Sequence, residues 1–295
     1  MKRNAGCAVM IILGMLLAGC GPHKAGETLR LAGCGHHTAA ESTEMPEPDI
    51  SSQEKNISMA APADLGAIRQ IHMENPSWEY YCATEPASLA APLKLTKLTQ
   101  EANQITDTDD WFEKNNLSLN VEDSGKYGLG IPSDENGGKC RIQVVDGEKG
   151  EVFELDFSDF EYAGDFKQSE KEFVRQQIRY AQVKDHILYL SIGHLTYAES
   201  SPHNAYVAAV DLAEKKMLWK SQPLVSNAAN FVIKGDVLLC GYGFTAEPDY
   251  IYQLDLGSGK VIDKTAVKSK ADYLILKDNI LYVRTYNTDY TFRIE

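Results

Sequence analysis

Ala209-Val210-Asp211-Leu212-Ala213-Glu214-Lys215-Lys216-Met217-Leu218-Trp219 and Gln253-Leu254-Asp255-Leu256-Gly257-Ser258-Gly259-Lys260-Val261 carry one pattern: an apolar strand, an aspartate, a tight turn and a return strand. Asp211 and Asp255 lie 44 positions apart. Val144-Val145-Asp146-Gly147-Glu148-Lys149-Gly150-Glu151-Val152 repeats the pattern upstream. A second hairpin recurs in phase with the first, at Val183-Lys184-Asp185-His186-Ile187-Leu188, Ile233-Lys234-Gly235-Asp236-Val237-Leu238 and Leu276-Lys277-Asp278-Asn279-Ile280-Leu281. Gly, Asp and Asn stand where such a hairpin needs residues tolerant of positive φ, and apolar strands flank them. Each repeat therefore encodes four antiparallel strands.

A period of roughly 45 residues in strand-rich sequence points to propeller blades. Val121-Glu122-Asp123-Ser124-Gly125-Lys126-Tyr127-Gly128-Leu129 fits the slot ahead of Asp146, giving about four units. The last unit stops at Phe292-Arg293-Ile294 before its outer strand. Leu93-Lys94-Leu95-Thr96-Lys97-Leu98 alternates as a half-buried strand does, and pairing it there joins the two chain ends and removes an exposed edge. The expected fold is all-β, a partial or four-bladed β-propeller, with a β-sandwich as the alternative. One short helical insertion is expected at Ser169–Ile178, from its serine cap and charged first turn. Asp64–Ile71 reads as a helix capped by Asp64. Asp107-Thr108-Asp109-Asp110-Trp111-Phe112 lacks the glycine and terminal glutamate of a calcium loop and reads as a capped helix start.

Ala209-Val210-Asp211 followed by Trp219 resembles the repeat of PQQ-like β-propellers, in which an Ala-x-Asp strand, a Thr-Gly turn and a Trp strand recur once per blade. Glu214-Lys215 replace Thr-Gly, Ser258-Gly259 come closer to it, and the tryptophan slot holds Glu154 and Asp263 in the other units. The resemblance covers Leu117 to Glu295. It implies that Asp146, Gly150, Asp211, Trp219, Asp255 and Gly259 hold blade geometry. Members that oxidise alcohols look like rings of about eight blades around calcium and a stacked quinone. About four units leave no comparable funnel, so neither a cofactor nor a metal is expected.

The N-terminus carries the address. Lys2 and Arg3 precede an apolar run from Ala8 to Leu17 that ends in Leu17-Ala18-Gly19-Cys20, which resembles the signal of bacterial lipoproteins. That resemblance implies lipid on Cys20 and cleavage before it. The run is far shorter than the ~20 residues that span a bilayer. The echo Leu31-Ala32-Gly33-Cys34-Gly35 has no apolar run ahead of it, which makes Cys34 a poor processing site. The expected organisation is a signal peptide over 1–19, a lipidated flexible linker over 20–63, a mixed segment over 64–116 and the repeat domain over 117–295. The linker is rich in Ala, Glu, Ser, Pro and Gly and cannot bury enough surface to offset its ordering entropy. The chain is thus expected at the cell membrane, lipid-anchored and facing outside the cytoplasm, on the cell surface or in the periplasm.

With 42 acidic against 29 basic residues and a formal charge of -13, the chain is a poor partner for nucleic acid. Fifteen tyrosines and nine phenylalanines supply a core. Once Cys7, Cys20 and Cys34 are set aside, Cys240 falls in an apolar strand pattern. Cys82 and Cys140 remain as the candidate disulfide in an oxidising compartment, though sequence alone does not choose the pairing. No Cys-x-x-Cys, Gly-x-Ser-x-Gly or His-Glu-x-x-His occurs. His186, His194 and His203 lie near loops of one unit at a spacing that fits no single helix face, and His186 reads as a turn residue. Two functions follow. The first is a non-catalytic module that offers loop tips and Tyr197, Tyr206, Tyr242 and Tyr250 to a protein or glycan. The alternative is an extracytoplasmic carbohydrate-active or other hydrolase that uses loop carboxylates.

Overall fold

A computed structural model describes residues 68–103, 108–119, 125–133, 138–162, 175–194 and 202–295. The chain divides into two compact units, Met1–Ala60 and Ala61–Glu295, and every described residue belongs to the second. The signal sequence, Cys20, the linker and positions 169–174 of the expected helical insertion lie outside the described residues.

The N-terminal part of the unit supplies β1 (Arg69–His72), β2 (Tyr81–Cys82), β3 (Leu95–Ala102) and one helix, α1 (Thr108–Asn115). The repeats follow. The first contains β4 (Tyr127–Gly130), β5 (Arg141–Asp146) and β6 (Glu151–Asp156), and the second β7 (Gln177–Lys184), β8 (Ile187–Gly193), β9 (Tyr206–Asp211) and β10 (Lys216–Lys220). The third contains β11 (Val232–Lys234), β12 (Val237–Tyr242), β13 (Tyr250–Asp255) and β14 (Val261–Ala266), and the fourth β15 (Ala271–Lys277), β16 (Ile280–Thr285) and β17 (Thr288–Ile294). Each repeat forms its own sheet, here called blades 1 to 4, and β1, β2 and β3 are added to the edges of blades 1, 2 and 4.

Two expected helices are corrected over the residues described, 68–71 and 175–178. Arg69–His72 is a strand parallel to β6, with Arg69 opposite Phe153 and His72 opposite Asp156. The open edge of blade 1 offers that backbone more hydrogen bonds than a single capped turn would. Gln177 and Ile178 open β7, where Ile178 faces Ile192 and is buried against blade 1. The carboxylate-rich segment does start a helix, with Asp109 and Asp110 in its first turn and Trp111 buried. β3 completes blade 4, with Leu95 opposite Ile294 and Ala102 opposite Thr288.

Turn chemistry sets the blades. In blade 2 only Asp185 and His186 connect Lys184 to Ile187, and both adopt positive φ, 49° and 61°. Gly235 and Asp278 take the same conformation in blades 3 and 4. In the second hairpin, Asp146 Oδ1 accepts from the backbone N–H of Glu148 and Lys149, both at 3.1 Å. Asp211 Oδ1 accepts from Ala213 and Glu214 at 2.7 and 2.9 Å. Asp255 instead receives the Ser258 hydroxyl at 2.6 Å. Four positions after each aspartate the backbone turns left-handed, at Gly150, Lys215 and Gly259 with φ of 63°, 56° and 75°.

The blades stack in series through three buried clusters. One joins blades 1 and 2 around Phe153, Leu155, Leu188 and Tyr206. The next joins blades 2 and 3 around Trp219, Val207, Leu238 and Leu254. The third joins blades 3 and 4 around Leu239, Ile251, Leu274 and Val283. Four sheets in succession are a partial β-propeller; a sandwich would have two sheets facing across one core. At the second junction Trp219 donates Nε1–H to Leu256 O at 3.0 Å, and a Cβ on Gly259 would fall 2.2 Å from Trp219 Cε3. At the first junction Lys215 reaches back, its Nζ 4.7 Å from the Phe153 ring centre and 3.2 Å from Glu151.

The candidate Cys82–Cys140 disulfide is not formed. Cys82 sits in β2 beside blade 2, its thiol donating to Thr84 O at 3.2 Å, whereas Cys140 precedes β5 of blade 1. Cys82 thus belongs to the blade 2 sheet and Cys140 to the segment that enters blade 1. Cys240 is fully buried in the blade 2–3 cluster.

The indole and the Gly259 corner occupy one space, so disturbing either loses the same contact. Trp219→Ala is expected to cost ~3–5 kcal/mol. Gly259→Ala, both crowded and left-handed, should cost about 2 kcal/mol or more. In a double-mutant cycle measured by urea unfolding, the pair should lose less than the sum of the singles; an additive result would place the two residues in separate contacts.

Candidate functional site

The two ends of the blades differ. The two-residue turns and the aspartate corners gather at one end, where Lys184 Nζ reaches Gly235 O at 2.7 Å and Lys234 Nζ reaches Asn279 Oδ1 at 3.1 Å across neighbouring blades. Longer connections gather at the other end, tied by Asn227 Nδ2 to Gly243 O at 2.7 Å and Ala229 N to Asp272 O at 2.8 Å. The first end is braced by hydrogen bonds between neighbouring turns. Of the residues singled out in the sequence, Asp146, Gly150, Asp211, Asp255 and Gly259 lie there, and Trp219 docks beneath the blade 3 corner.

Lys220 marks the loop end of blade 2. It closes β10, is fully buried, and its Nζ has no hydrogen-bond partner among the described residues. Three rings surround it instead, with Nζ 3.8 Å from the Tyr206 centroid, 5.6 Å from Phe160 and 5.9 Å from Trp78. Burial pulls the amine from 10.5 down to about 7, opposed by the negative field of Glu79. Each ring comes from a different part of the chain: Phe160 from a 3-10 turn after β6, Tyr206 from β9, and Trp78 from the segment that crosses between β1 and β2. The Tyr206 hydroxyl fixes that crossing by donating to Trp78 O at 2.7 Å.

Trp78 belongs to a second group of rings that reaches solvent. It meets Tyr162 edge-on at 5.3 Å and His203 at 5.7 Å, and Tyr162 meets His203 at 4.7 Å. All three are half-buried, and Glu79 lies at the rim, 3.8 Å from His203 Nδ1. His194 follows β8, 3% exposed, and among the described residues neither of its ring nitrogens has a hydrogen-bond partner. Burial lowers its pKa to about 4, which keeps the imidazole neutral near pH 7. Its backbone N–H donates to Asn204 Oδ1 at 2.8 Å.

The expected tyrosine face is therefore corrected. Tyr206 and Tyr242 are buried and Tyr250 is half-buried, with Lys264 Nζ 4.3 Å from its ring centre. Tyr197 lies outside the described residues. The inward tyrosines Tyr206 and Tyr242 sit on β9 and β12, strands buried on both faces between neighbouring sheets. The solvent-reaching group comes from connections, with Trp78 between β1 and β2, Tyr162 after β6 and His203 between β8 and β9; of the three, only His203 stood out in the sequence. The three histidines are not brought together: His186 occupies the opposite end, 3.7 Å from Asp211. Among the described residues no group of three or more His, Cys, Asp or Glu side chains is arranged to hold a metal.

No family model matches the chain, and no curated protein matches it. Among solved structures the chain is similar to BamB from Moraxella catarrhalis, at 16% identity over 52% of this chain and 53% of that one, with a TM-score of 0.30. It is also similar to the computationally designed Ika4 protein, at 16% identity over 54% and 82% of the two chains with a TM-score of 0.32. Hydrazine synthase of Kuenenia stuttgartiensis is a third, at 11% identity over 55% and 41% with a TM-score of 0.36. The chain spans about half the length of the Moraxella protein.

Proposed function

We propose that the chain is a lipid-anchored extracytoplasmic interaction module, held at the membrane through Cys20, with the loop end of its blades turned to a protein or glycan partner. The observation that carries this reading is the half-buried Trp78–Tyr162–His203 group backed by the Lys220 cage. Aromatic side chains give large contact area for few rotatable bonds, and here the packing beneath them removes most of what freedom remains. The carboxylates prominent in the sequence serve as scaffold: Asp146 and Asp211 hold turn amides, and Glu154 accepts from Gln70, Arg141 and Gln143.

The anchor is tested by feeding a clickable fatty acid to cells making the protein. Label should appear on the wild type and vanish in Cys20→Ala, which leaves the membrane fraction; a variant that keeps its lipid overturns the assignment. For the contact surface, Trp78→Ala and Tyr162→Ala should each reduce partner recovery about tenfold in pull-downs from native membranes. Unchanged recovery from both, or turnover of a glycan panel with no partner recovered, counts against the module.

Lys220 supplies a third measurement. Its folded-state pKa lies below the ordinary value, so the unfolded chain binds the extra proton between about pH 7 and 10.5 and stability rises with pH across that window. Below the window the full burial penalty applies. Lys220→Met should therefore stabilise the fold by a few kcal/mol at pH 7 and below, with the gain shrinking toward pH 10. A pH-independent difference in melting temperature would show that the amine is not buried uncharged.

A further inference from the structure

A cleft of about 320 Å3 opens at the loop end of blades 3 and 4, lined in part by Phe244, Asp249, Lys270, Asp272 and Tyr286. Its charges are unequally satisfied. Lys270 and Asp272 pair with each other at 2.7 Å, and Glu247 accepts from the Tyr242 hydroxyl at 2.6 Å. The Asp249 carboxylate has no hydrogen bond or ion pair with any described residue. Room for it exists only because residue 243 is glycine: a Cβ there would fall 1.9 Å from Asp249 Oδ1 and 3.0 Å from Lys270 Cα. Two rings share the lining with this carboxylate, and Tyr286 is 56% exposed.

We propose that this cleft receives the guanidinium of an arginine carried by a partner peptide, with Asp249 accepting its N–H donors and Phe244 and Tyr286 flanking the planar group. A guanidinium matches a carboxylate through two parallel hydrogen bonds, stacks on aromatic faces and gives up water more readily than an ammonium. The volume suits one side chain and its backbone, and the acidic chain attracts basic segments at long range. Burial and the neighbouring Glu247 hold the Asp249 carboxyl above the usual carboxylate range, against the opposing field of Lys270. The inference does not rest on the Trp78 surface and stands or falls without it.

The test is calorimetric titration of the full-length protein with acetyl-Gly-Arg-Gly-amide, its Lys and Gln counterparts, and arginine itself. The Arg peptide should bind about tenfold tighter than the Gln peptide, and Asp249→Asn should erase that preference. Tyr286→Ala should weaken the Arg peptide severalfold with the melting temperature unchanged. Affinity for the Arg peptide should fall in acid as Asp249 takes up its proton. Equal binding of the Arg and Gln peptides, or an Asp249→Asn protein that still prefers arginine, overturns the site. Equal binding of the Lys peptide removes the guanidinium assignment, and tighter binding of arginine itself removes the peptide. None of these results depends on Trp78→Ala or Tyr162→Ala, so failure here and failure of the interaction reading are distinguishable.

Discussion

Each blade of this protein relies on burial against the next. A lone hairpin is marginal in water, and three or more strands with one covered face are needed before a sheet holds by itself. What fixes that contact at the first two junctions is the left-handed corner four residues after the repeat aspartate, at Lys215 and Gly259. Gly150 and Gly259 adopt it at little steric cost, whereas Lys215 carries a Cβ there and is strained. Its side chain offsets the strain by packing over Phe153 and pairing with Glu151, so the same residue that bends blade 2 also joins it to blade 1. At the next junction the roles reverse, because glycine leaves a gap at the corner and Trp219 from the preceding blade enters it.

A second constraint runs across the blades. The segment that begins at β1 climbs the edge of blade 1, crosses the loop end at Trp78, and descends beside β10 as β2. It then passes blade 3, where Ala90 N donates to Asp255 Oδ2 and Leu93 N to Gln253 Oε1, both at 2.8 Å, and rises again as β3 along blade 4. One strap therefore touches all four blades in order. The crossing at Trp78 closes the Lys220 cage and brings one of the three half-buried rings to the other two, so the candidate surface exists because this strap changes direction where it does.

Much of the blade plan was legible. The 44-residue spacing of Asp211 and Asp255, the two-residue turns and the Leu95 strand all encode local geometry, which sequence patterns report directly. What failed depended on distant partners. Arg69–Ile71 has no strong period of its own and becomes a strand because β6 presents an open edge; Ile178 is drawn into β7 by the blade 1 core rather than continuing a capped turn. The aromatic surface was missed for a related reason. Tyr206 and Tyr242 sit on strands that neighbouring blades cover on both faces, while Trp78, Tyr162 and His203 come from three connections that only the fold brings together. The lysine beneath them, at the end of an unremarkable Leu-Trp-Lys strand, gives no hint of burial in composition or spacing.

The pairing of β3 with β17 also sets the order in which the protein can be made. Thr99 and Thr291 meet across that pair although 192 positions separate them in the chain. A ribosome delivers the early strand long before its mate, so the first-synthesised edge waits through the production of every blade. Such distant pairing is slow to close and leaves backbone groups open to association with other chains. Completion of the last sheet is then the step that commits the whole unit, and the nascent chain must be kept apart from its neighbours until β17 has been made.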